Sequence, residues 1–290
     1  MKKTAITGAT GFVGKRLVKY NQHIFEQQIL DLRNNKVGNI DLHEIDAVIH
    51  LAGKAHEMNL IPDNVYFDVN YELTRQLADK AKAQGVLQFV YISSVKVYGN
   101  EVPEILDEQS ACIPTDAYGS SKLKAEQYLQ SIQTDTFQVA IVRPPLVYGP
   151  GVKGNMIRLM QLADKNIPLP FGNIKNARSM VFVDNLIALI NKIVEQKAAG
   201  VFIAGDAAPI STSQLLWYIK SGLGRKPHLL SVPLIVRKVL MKVRPALYLR
   251  LFGSFVVDNR ITNDKLDFIP PYSTQFGIEQ MAKWFKISIK

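Results

Sequence analysis

Short apolar runs alternate with longer segments of helical period through the first half of the chain. The runs "KTAIT", "QQILDL", "DAVIHLA", "QFVYISS" and "FQVAIVRP" are separated by "GFVGKRLVKY", "NVYFDVNYELTRQLADKAKAQG" and "YGSSKLKAEQYLQSI". This rhythm predicts a parallel sheet covered by helices on both faces, because parallel strands have to be joined by crossovers. "AVIHLA" is almost wholly apolar, as expected of a strand buried on both sides. After "RPPLVYGPG", Pro and Gly cluster from Pro144 to Gly154 and again from Pro168 to Gly172. The change predicts a division into a sheet domain over 1–150 and a smaller, less regular lobe over 151–290. "SMVFVDNLIALINKIV" and "GVFIAGD" still read as strand, helix and strand, so this lobe is expected to interleave with the sheet. No internal repeat is present.

Composition narrows the picture. With 290 residues, 47% of them apolar, the chain is long enough to bury a substantial core. Its one cysteine, Cys112, cannot form an intramolecular disulfide or by itself a zinc site, and a reducing cytoplasm is the expected setting. The opening "MKKTAITGATGFVG" has two lysines, but its apolar run is too short and glycine-broken for an export signal. The net charge of +10 fits nucleic acid, an anionic membrane surface or a phosphate-bearing substrate. No run of five basic residues and no aromatic-basic repeat occurs, which argues against nucleic acid. One stretch, "VPLIVRKVLMKVRPALYLRLFG", interleaves Arg237, Lys238, Lys242, Arg244 and Arg250 with apolar residues. It is expected to form two core-facing helices with snorkelling cations, broken at Pro245, in preference to a segment lying on a bilayer.

Chemistry enters with "TAITGATGFVGKRL", where Gly8, Gly11 and Gly14 fall between the first strand and the first helix. Glycine there permits a tight turn, lets backbone N–H groups approach a pyrophosphate and allows close helix–sheet packing, while the helix N-terminus adds partial positive charge. Asp31 ends the next strand and is placed to accept hydrogen bonds from an adenosine ribose, which favours NAD. Arg33, two residues on, suits the 2'-phosphate of NADP. Further along, Tyr118 and Lys122 lie four residues apart and so share a helix face. A free phenol has a pKa of about 10, and a neighbouring ammonium together with a charged nicotinamide would bring it toward the working range. Ser94, at the end of an apolar strand, can hydrogen-bond the same substrate oxygen.

Taken together, "TGATGFVG", "VIHLAG", "VN" at Asn70, "SSVKVYG", "YGSSK" and "RPPLVYGPGVKGN" resemble the extended short-chain dehydrogenase/reductases, the NAD-dependent epimerase/dehydratases. The resemblance implies a Rossmann-type α/β fold, a doubly wound parallel sheet with a smaller C-terminal substrate-binding lobe. It implies a catalytic triad of Ser94, Tyr118 and Lys122, with Tyr118 as acid/base. It also implies cofactor contacts at Gly8, Thr10, Gly11, Phe12, Val13, Gly14, Asp31, Arg33, Leu51, Ala52, Gly53, Asn70, Ser93 and Pro145. Asn39 and Ile40 match a pair that usually reads Asp-Ile beside adenine. The family's dehydratases carry Thr followed by Asp-Glu where this chain has Ser94, Val95 and Lys96, so elimination is not expected. "RPPLVYGPGVKGN" and "LPLPFGNIKNARSMVFVDNL" are most similar to a subgroup of UDP-glucose 4-epimerases and UDP-4-keto-6-deoxy-N-acetylhexosamine 4-reductases of O-antigen synthesis. By that likeness Lys96, Asn155, Phe171 and Arg178 join Ser94 and Tyr118 at the UDP-sugar, Leu146 replaces a sugar-contacting Asn, and a homodimer is expected. Epimerase and reductase stay open, as do NAD and NADP. The rival readings are a non-catalytic dinucleotide sensor of the same fold and a membrane-associated partner protein.

Overall fold

β1 (Lys3–Thr7) runs into α1 (Phe12–Tyr20), and the chain returns through β2 (Glu26–Leu30) to pair alongside β1 in parallel. The structure, a computed structural model, describes residues 1–55, 61–99, 105–165 and 167–288. β3 (Ala47–His50) crosses to the other side of β1. α2 (Asp63–Phe67), a single π-helical turn (Asp68–Glu72) and α3 (Leu73–Ala83) lead to β4 (Gln88–Ile92). α4 (Ala117–Ile132) leads to β5 (Gln138–Arg143). A six-stranded sheet in the order β2-β1-β3-β4-β5-β9 results, all of its pairs parallel.

Four of the apolar runs, in β1, β3, β4 and β5, correspond to strands that bury both faces, whereas edge strand β2 buries Leu30 and exposes Ile29. On one face Ile6, Ala47, Ile49, Val90, Ala140 and Val142 share a core with Leu17 of α1. The alternate residues Ala5, Val48, Phe89, Tyr91, Val139 and Ile141 pack on the other, against Leu77 and Ala81 of α3 and Leu129 of α4. Two-residue alternation with apolar side chains on both sides yields the unbroken hydrophobic stretches expected of a covered parallel sheet.

The remainder of the chain adds β6 (Leu146–Tyr148), α5 (Asn155–Asp164), β7 (Leu169–Gly172), β8 (Met180–Phe182), α6 (Val183–Gln196) and β9 (Gly200–Ile203). β9 closes the edge of the large sheet beside β5, while β6 and β8 form a separate parallel pair. A bidentate ion pair ties α6 to the first helix: Arg16 donates from Nε at 2.6 Å and from one terminal nitrogen at 2.7 Å to Asp184. α7 (Thr212–Gly222), β10 (Leu229–Ser231, paired with β7), α8 (Leu234–Val243), α9 (Pro245–Phe252), α10 (Arg260–Leu266) and α11 (Thr274–Ser288) follow.

Two expectations need correction. The helical segment around Asn70 is not one regular helix, since a π turn interrupts it there. α8 and α9 break at Pro245 as expected, but α8 is not core-facing: Ile235, Val236, Val239 and Val243 are exposed to solvent.

His50, at the end of β3, is fully buried, with Nδ1 2.7 Å from Thr7 Oγ1 and Nε2 2.9 Å from Thr74 Oγ1. Burial, reinforced by the Lys122 charge, lowers its pKa from 6.5 to about 3. Between those values the unfolded chain binds a proton that the folded chain refuses. Stability is therefore expected to fall as pH drops below about 6.5, with a slope approaching ~1.4 kcal/mol per pH unit. Urea unfolding midpoints between pH 7.5 and 5 measure this, with His50→Gln as the comparison. Equal slopes in the two proteins would remove His50 from the account.

Candidate active site

In a sheet ordered 2-1-3-4-5, the chain reverses direction of winding between β1 and β3, and ligands bind beyond the C-terminal strand ends at such a point. The predicted residues gather there. Gly8 follows β1, Leu51 to Gly53 follow β3, Ser93 and Ser94 follow β4, and Pro145 follows β5.

The glycine turn is built as the spacing demands. Gly8 has φ +68°, and a Cβ on it would lie 2.6 Å from Ala52 N. A Cβ on Gly14 would stand 2.2 Å from Gly8 O, so α1 approaches the turn more closely than any side chain permits. Gly11 donates its N–H to Gly8 O at 2.9 Å and caps α1, whose first turn contains no acidic residue. Thr10 is exposed and Phe12 and Val13 are half-buried, which leaves this N-terminus accessible to an anion.

Asp31 and Arg33 meet each other beyond β2. The Asp31 carboxylate accepts from the Arg33 backbone N–H at 3.0 Å and from Asn34 Nδ2 at 2.8 Å. Those bonds hold its pKa below the usual carboxylate value. Arg33 also reaches Thr10 Oγ1 at 3.2 Å, so the Asp31–Arg33 pair borders the glycine turn. Asn39 is exposed at the end of a short 3-10 turn, and the Ile40 side chain belongs to the core shared with Leu30 and Val48.

The loop after β3 is locked from two sides. Ala52 donates its N–H to Thr7 Oγ1 at 3.0 Å. Buried Asn70 accepts from Lys54 N at 2.8 Å, and its amide donates to Lys54 O at 3.2 Å and to Ser121 Oγ at 3.0 Å. The π turn makes this possible by rotating Asn70 toward β3 and α4, while its carbonyl accepts from Tyr91 Oη at 3.2 Å. A Cβ on Gly53 would come within 2.9 Å of Asn70 Oδ1 and 3.1 Å of Lys122 Nζ. The loop, Asn70 and the lysine thus share one small space.

α4 carries the proton-handling groups. Asp116 caps it, accepting from Gly119 N at 2.7 Å, and Tyr118 sits in its first turn. A Cβ on Gly119 would stand 2.6 Å from Lys96 O, so glycine lets this helix end press against the segment that follows Ser94. The Tyr118 phenol is hydrogen-bonded to the Ser94 side chain, and burial raises its pKa against the lowering effect of that bond. The sequence led to a phenol depressed by Lys122 together with a charged nicotinamide, and the protein by itself shows the phenol without that second charge. Lys122 donates to Ile92 O at 2.9 Å, lies 4.7 Å from the Tyr91 ring centroid, and is itself lowered by burial to about 8, with Glu126 pulling in the opposite direction. In the protein alone, Tyr118 is therefore a protonated hydroxyl that can donate.

Two groups of residues were missed. Glu126 continues the Tyr118–Lys122 stripe at the same four-residue interval. It is buried in an ion pair with Arg143 at 2.6 Å, and Arg143 also donates to Tyr98 Oη at 2.7 Å. The period was legible in "YGSSKLKAE", but the partner was not. The second is Arg250, read from the sequence as part of a basic-apolar helix. Burial lowers the pKa of Lys96, which Asp116 opposes, and the charges of Arg178 and Arg250 lower it further. Arg178 is likewise lowered, by burial and then by Arg250, and donates to the carbonyls of Leu249, Arg250 and Gly253 at 3.2–3.3 Å. Two residues beyond Ser94, Lys96 thus feels the charges of two arginines from separate segments. Asn155 is exposed at the start of α5, and Phe171 is half-buried in β7 against the larger core.

The residues present fit a dinucleotide. The glycine turn presents the amides of a helix N-terminus that has no acidic residue in its first turn, and Ser93 Oγ is buried with no hydrogen-bond partner among the described residues. A buried hydroxyl left unpaired costs about 1–3 kcal/mol, which a bound polar group would recover. No group of His, Cys, Asp or Glu able to hold a metal occurs among the described residues.

Fold and site together define a nicotinamide-dependent enzyme that moves a hydride. The profile of the NAD dependent epimerase/dehydratase family matches residues 4–205, and the chain belongs to that family. It is 35% identical to a UDP-glucose 4-epimerase of Vibrio cholerae, over 98% of this chain and 95% of the relative. It is 28% identical to an N-acetyl-alpha-D-glucosaminyl-diphospho-ditrans,octacis-undecaprenol 4-epimerase of Escherichia coli O157:H7, over 79% of this chain and 74% of that one. Among solved structures, the UDP-N-acetylglucosamine 4-epimerase from Bacillus cereus superposes with a TM-score of 0.77 at 22% identity, covering 98% of this chain and 99% of the other. That likeness establishes the fold.

Proposed function

We propose that the protein is an NAD(P)-dependent 4-epimerase or 4-ketoreductase acting at C4 of a UDP-hexose or UDP-N-acetylhexosamine, in the synthesis of a bacterial surface polysaccharide such as O-antigen. One observation carries the reading: Tyr118 is hydrogen-bonded to Ser94, and Lys96, two residues beyond that serine, feels the charges of both Arg178 and Arg250. Like charges brought together repel, and a diphosphate relieves that repulsion while accepting paired guanidinium donors. A sugar tethered through its diphosphate to these cations would present a ring hydroxyl to Tyr118. Asn155 and Phe171 would complete the nucleotide side.

The glycine turn, Asp31, Arg33, Leu51 to Gly53, Ser93 and Pro145 would hold the dinucleotide, which supplies the hydride acceptor or donor when bound. Asp31 favours NAD, while Arg33 beside Thr10 suits NADP. The chain's own part is proton transfer. In the reducing direction the protonated Tyr118 Oη gives its proton to the carbonyl oxygen at C4; in the oxidising direction the same oxygen, as phenolate, takes the C4 hydroxyl proton, a form that Lys122 and the positive charge of a bound oxidised nicotinamide would favour. Ser94 orients both oxygens, and the ammonium of Lys122 favours the anionic phenol that forms transiently. Val95 and Lys96 stand where elimination would need an acid and a base, so the reaction stops at hydride transfer. A homodimer formed through α2, α3 and α4 is part of the proposal and follows from the resemblance drawn from the sequence.

A second reading keeps this chemistry and changes the carrier. The cation cluster includes α9 through Arg250, the neighbouring α8 exposes an apolar face, and one relative is named for a polyprenyl diphospho-sugar. Incubation with UDP-GlcNAc, UDP-glucose, a 4-keto-6-deoxy UDP-sugar and a polyprenyl diphospho-GlcNAc, with and without NADH or NADPH, tests both. Interconversion without net cofactor consumption is the epimerase result, and stoichiometric NAD(P)H oxidation is the reductase result. No turnover of any of the four would overturn the proposal.

A further inference from the structure

α8 is amphipathic in the reverse sense for a soluble protein. Ile235, Val239 and Val243 recur every four residues with Val236 alongside, which places all four on about 100° of helix circumference. They are 72%, 55%, 67% and 49% exposed. Arg237 and Leu240 are half-buried, and the Arg237 guanidinium lies 4.5 Å from the centroid of the Phe252 ring on α9. Lys238 and Lys242, again four residues apart, flank the apolar stripe and are exposed. α8 and α9 pack principally on each other, and Leu247 and Leu249 extend the exposed apolar surface.

Burial of an apolar stripe is the usual reason for its existence, so a stripe facing outward on a well-formed helix calls for an occupant. The charge pattern points to one. From Ala207 to Val257 there is no Asp or Glu, while the same stretch holds eight Lys or Arg: Lys220, Arg225, Lys226, Arg237, Lys238, Lys242, Arg244 and Arg250. A second copy of the chain would place this basic surface against itself, at a cost in repulsion. An anionic bilayer accepts both features: the apolar stripe enters the acyl boundary and the flanking lysines meet lipid phosphates.

We infer that the α8–α9 hairpin is a peripheral membrane-docking element that seats Ile235, Val236, Val239 and Val243 in the interface of an anionic bilayer, with Lys238 and Lys242 on the headgroups. No helix among the described residues is long and apolar enough to cross a membrane, so the attachment is to one leaflet surface. It requires nothing of the substrate beyond what the cation cluster already needs. Because that cluster includes Arg250 on α9, docking would hold the mouth of the site close to the lipid surface.

The test is sedimentation of the full chain with vesicles of phosphatidylcholine, or of phosphatidylcholine mixed with phosphatidylglycerol, at low and high salt. At least about tenfold stronger partitioning to the anionic vesicles is expected, weakening with salt. Lys238→Glu with Lys242→Glu should lower it about tenfold or more, as should Ile235→Ser with Val239→Ser. All four positions are exposed, so both double variants should keep the wild-type circular dichroism spectrum and turnover of a soluble sugar nucleotide. The inference is overturned by absence of binding to the anionic vesicles, by equal binding to neutral ones, or by binding that neither double variant reduces. Concentration-dependent self-association abolished by the Ile235/Val239 variant would assign the face to a second copy instead.

Discussion

Tyr118→Phe is expected to lower kcat by about 100- to 10,000-fold while leaving the fold intact. On the proposed mechanism, removing the hydroxyl deletes the group that Ser94 positions to give or take the C4 proton. KM should change little, since on the proposed function the sugar would be held through its diphosphate at Lys96, Arg178 and Arg250. Stability should stay close to wild type, because the variant removes a buried hydroxyl and leaves Ser94, which also accepts from Lys96 N at 3.2 Å. Steady-state kinetics on whichever sugar nucleotide is turned over, with thermal unfolding of the same preparation, gives the answer. Activity within threefold of wild type would remove Tyr118 from the chemistry and revive a non-catalytic dinucleotide sensor.

Glu126→Gln is expected to be the most damaging single change to stability, at about 3–5 kcal/mol. It leaves the Arg143 guanidinium, only 5% exposed, without its carboxylate in a region of low dielectric. Native proteins have only about 5–15 kcal/mol in hand, so a fall in Tm of roughly 10 °C follows. Replacing the pair together, Glu126→Met with Arg143→Met, should recover most of the loss, because the ion pair gains little over well-packed apolar side chains of similar volume. Glu126 also opposes the burial that lowers Lys122 to about 8. Its removal should therefore shift the alkaline limb of the kcat profile to lower pH, an effect that a purely structural role would not produce. An unchanged limb would confine Glu126 to the core. A Tm within 2 °C of wild type, a shift of less than about 1 kcal/mol, would show the pair to be solvated.

Much of this site was legible because its signals are local. Gly8, Gly11 and Gly14 state their own reason, a turn with no room for Cβ, and the four-residue interval from Tyr118 to Lys122 states a shared helix face. What the lysine does there was not legible. The sequence suggested an ammonium aimed at the phenol, whereas burial beneath β4 turns Lys122 to Ile92 O and the Tyr91 ring. Asn70 was recognised by its motif, yet the π turn that swings its amide onto Lys54 and Ser121 leaves no trace in periodicity. α8 was misread for a related reason. An apolar stripe at helical spacing says that one face avoids water, and only the packed structure says whether protein covers that face.

By itself the sequence determined the parallel sheet, its crossover helices, the glycine turn and the helix face shared by Tyr118 and Lys122, because these depend on intervals of two to four residues and on the chemistry of single side chains. Tertiary structure alone decided that Lys96 would feel the charges of Arg178 and Arg250, that Glu126 would find Arg143, and that α8 would set Arg237 against Phe252 and turn its valines outward. Those pairings join segments up to 154 residues apart, as Lys96 and Arg250 are. Such distances are closed by burial of the two cores and the burial cost of unpaired charge, forces that act on the assembled chain and leave no mark in local sequence.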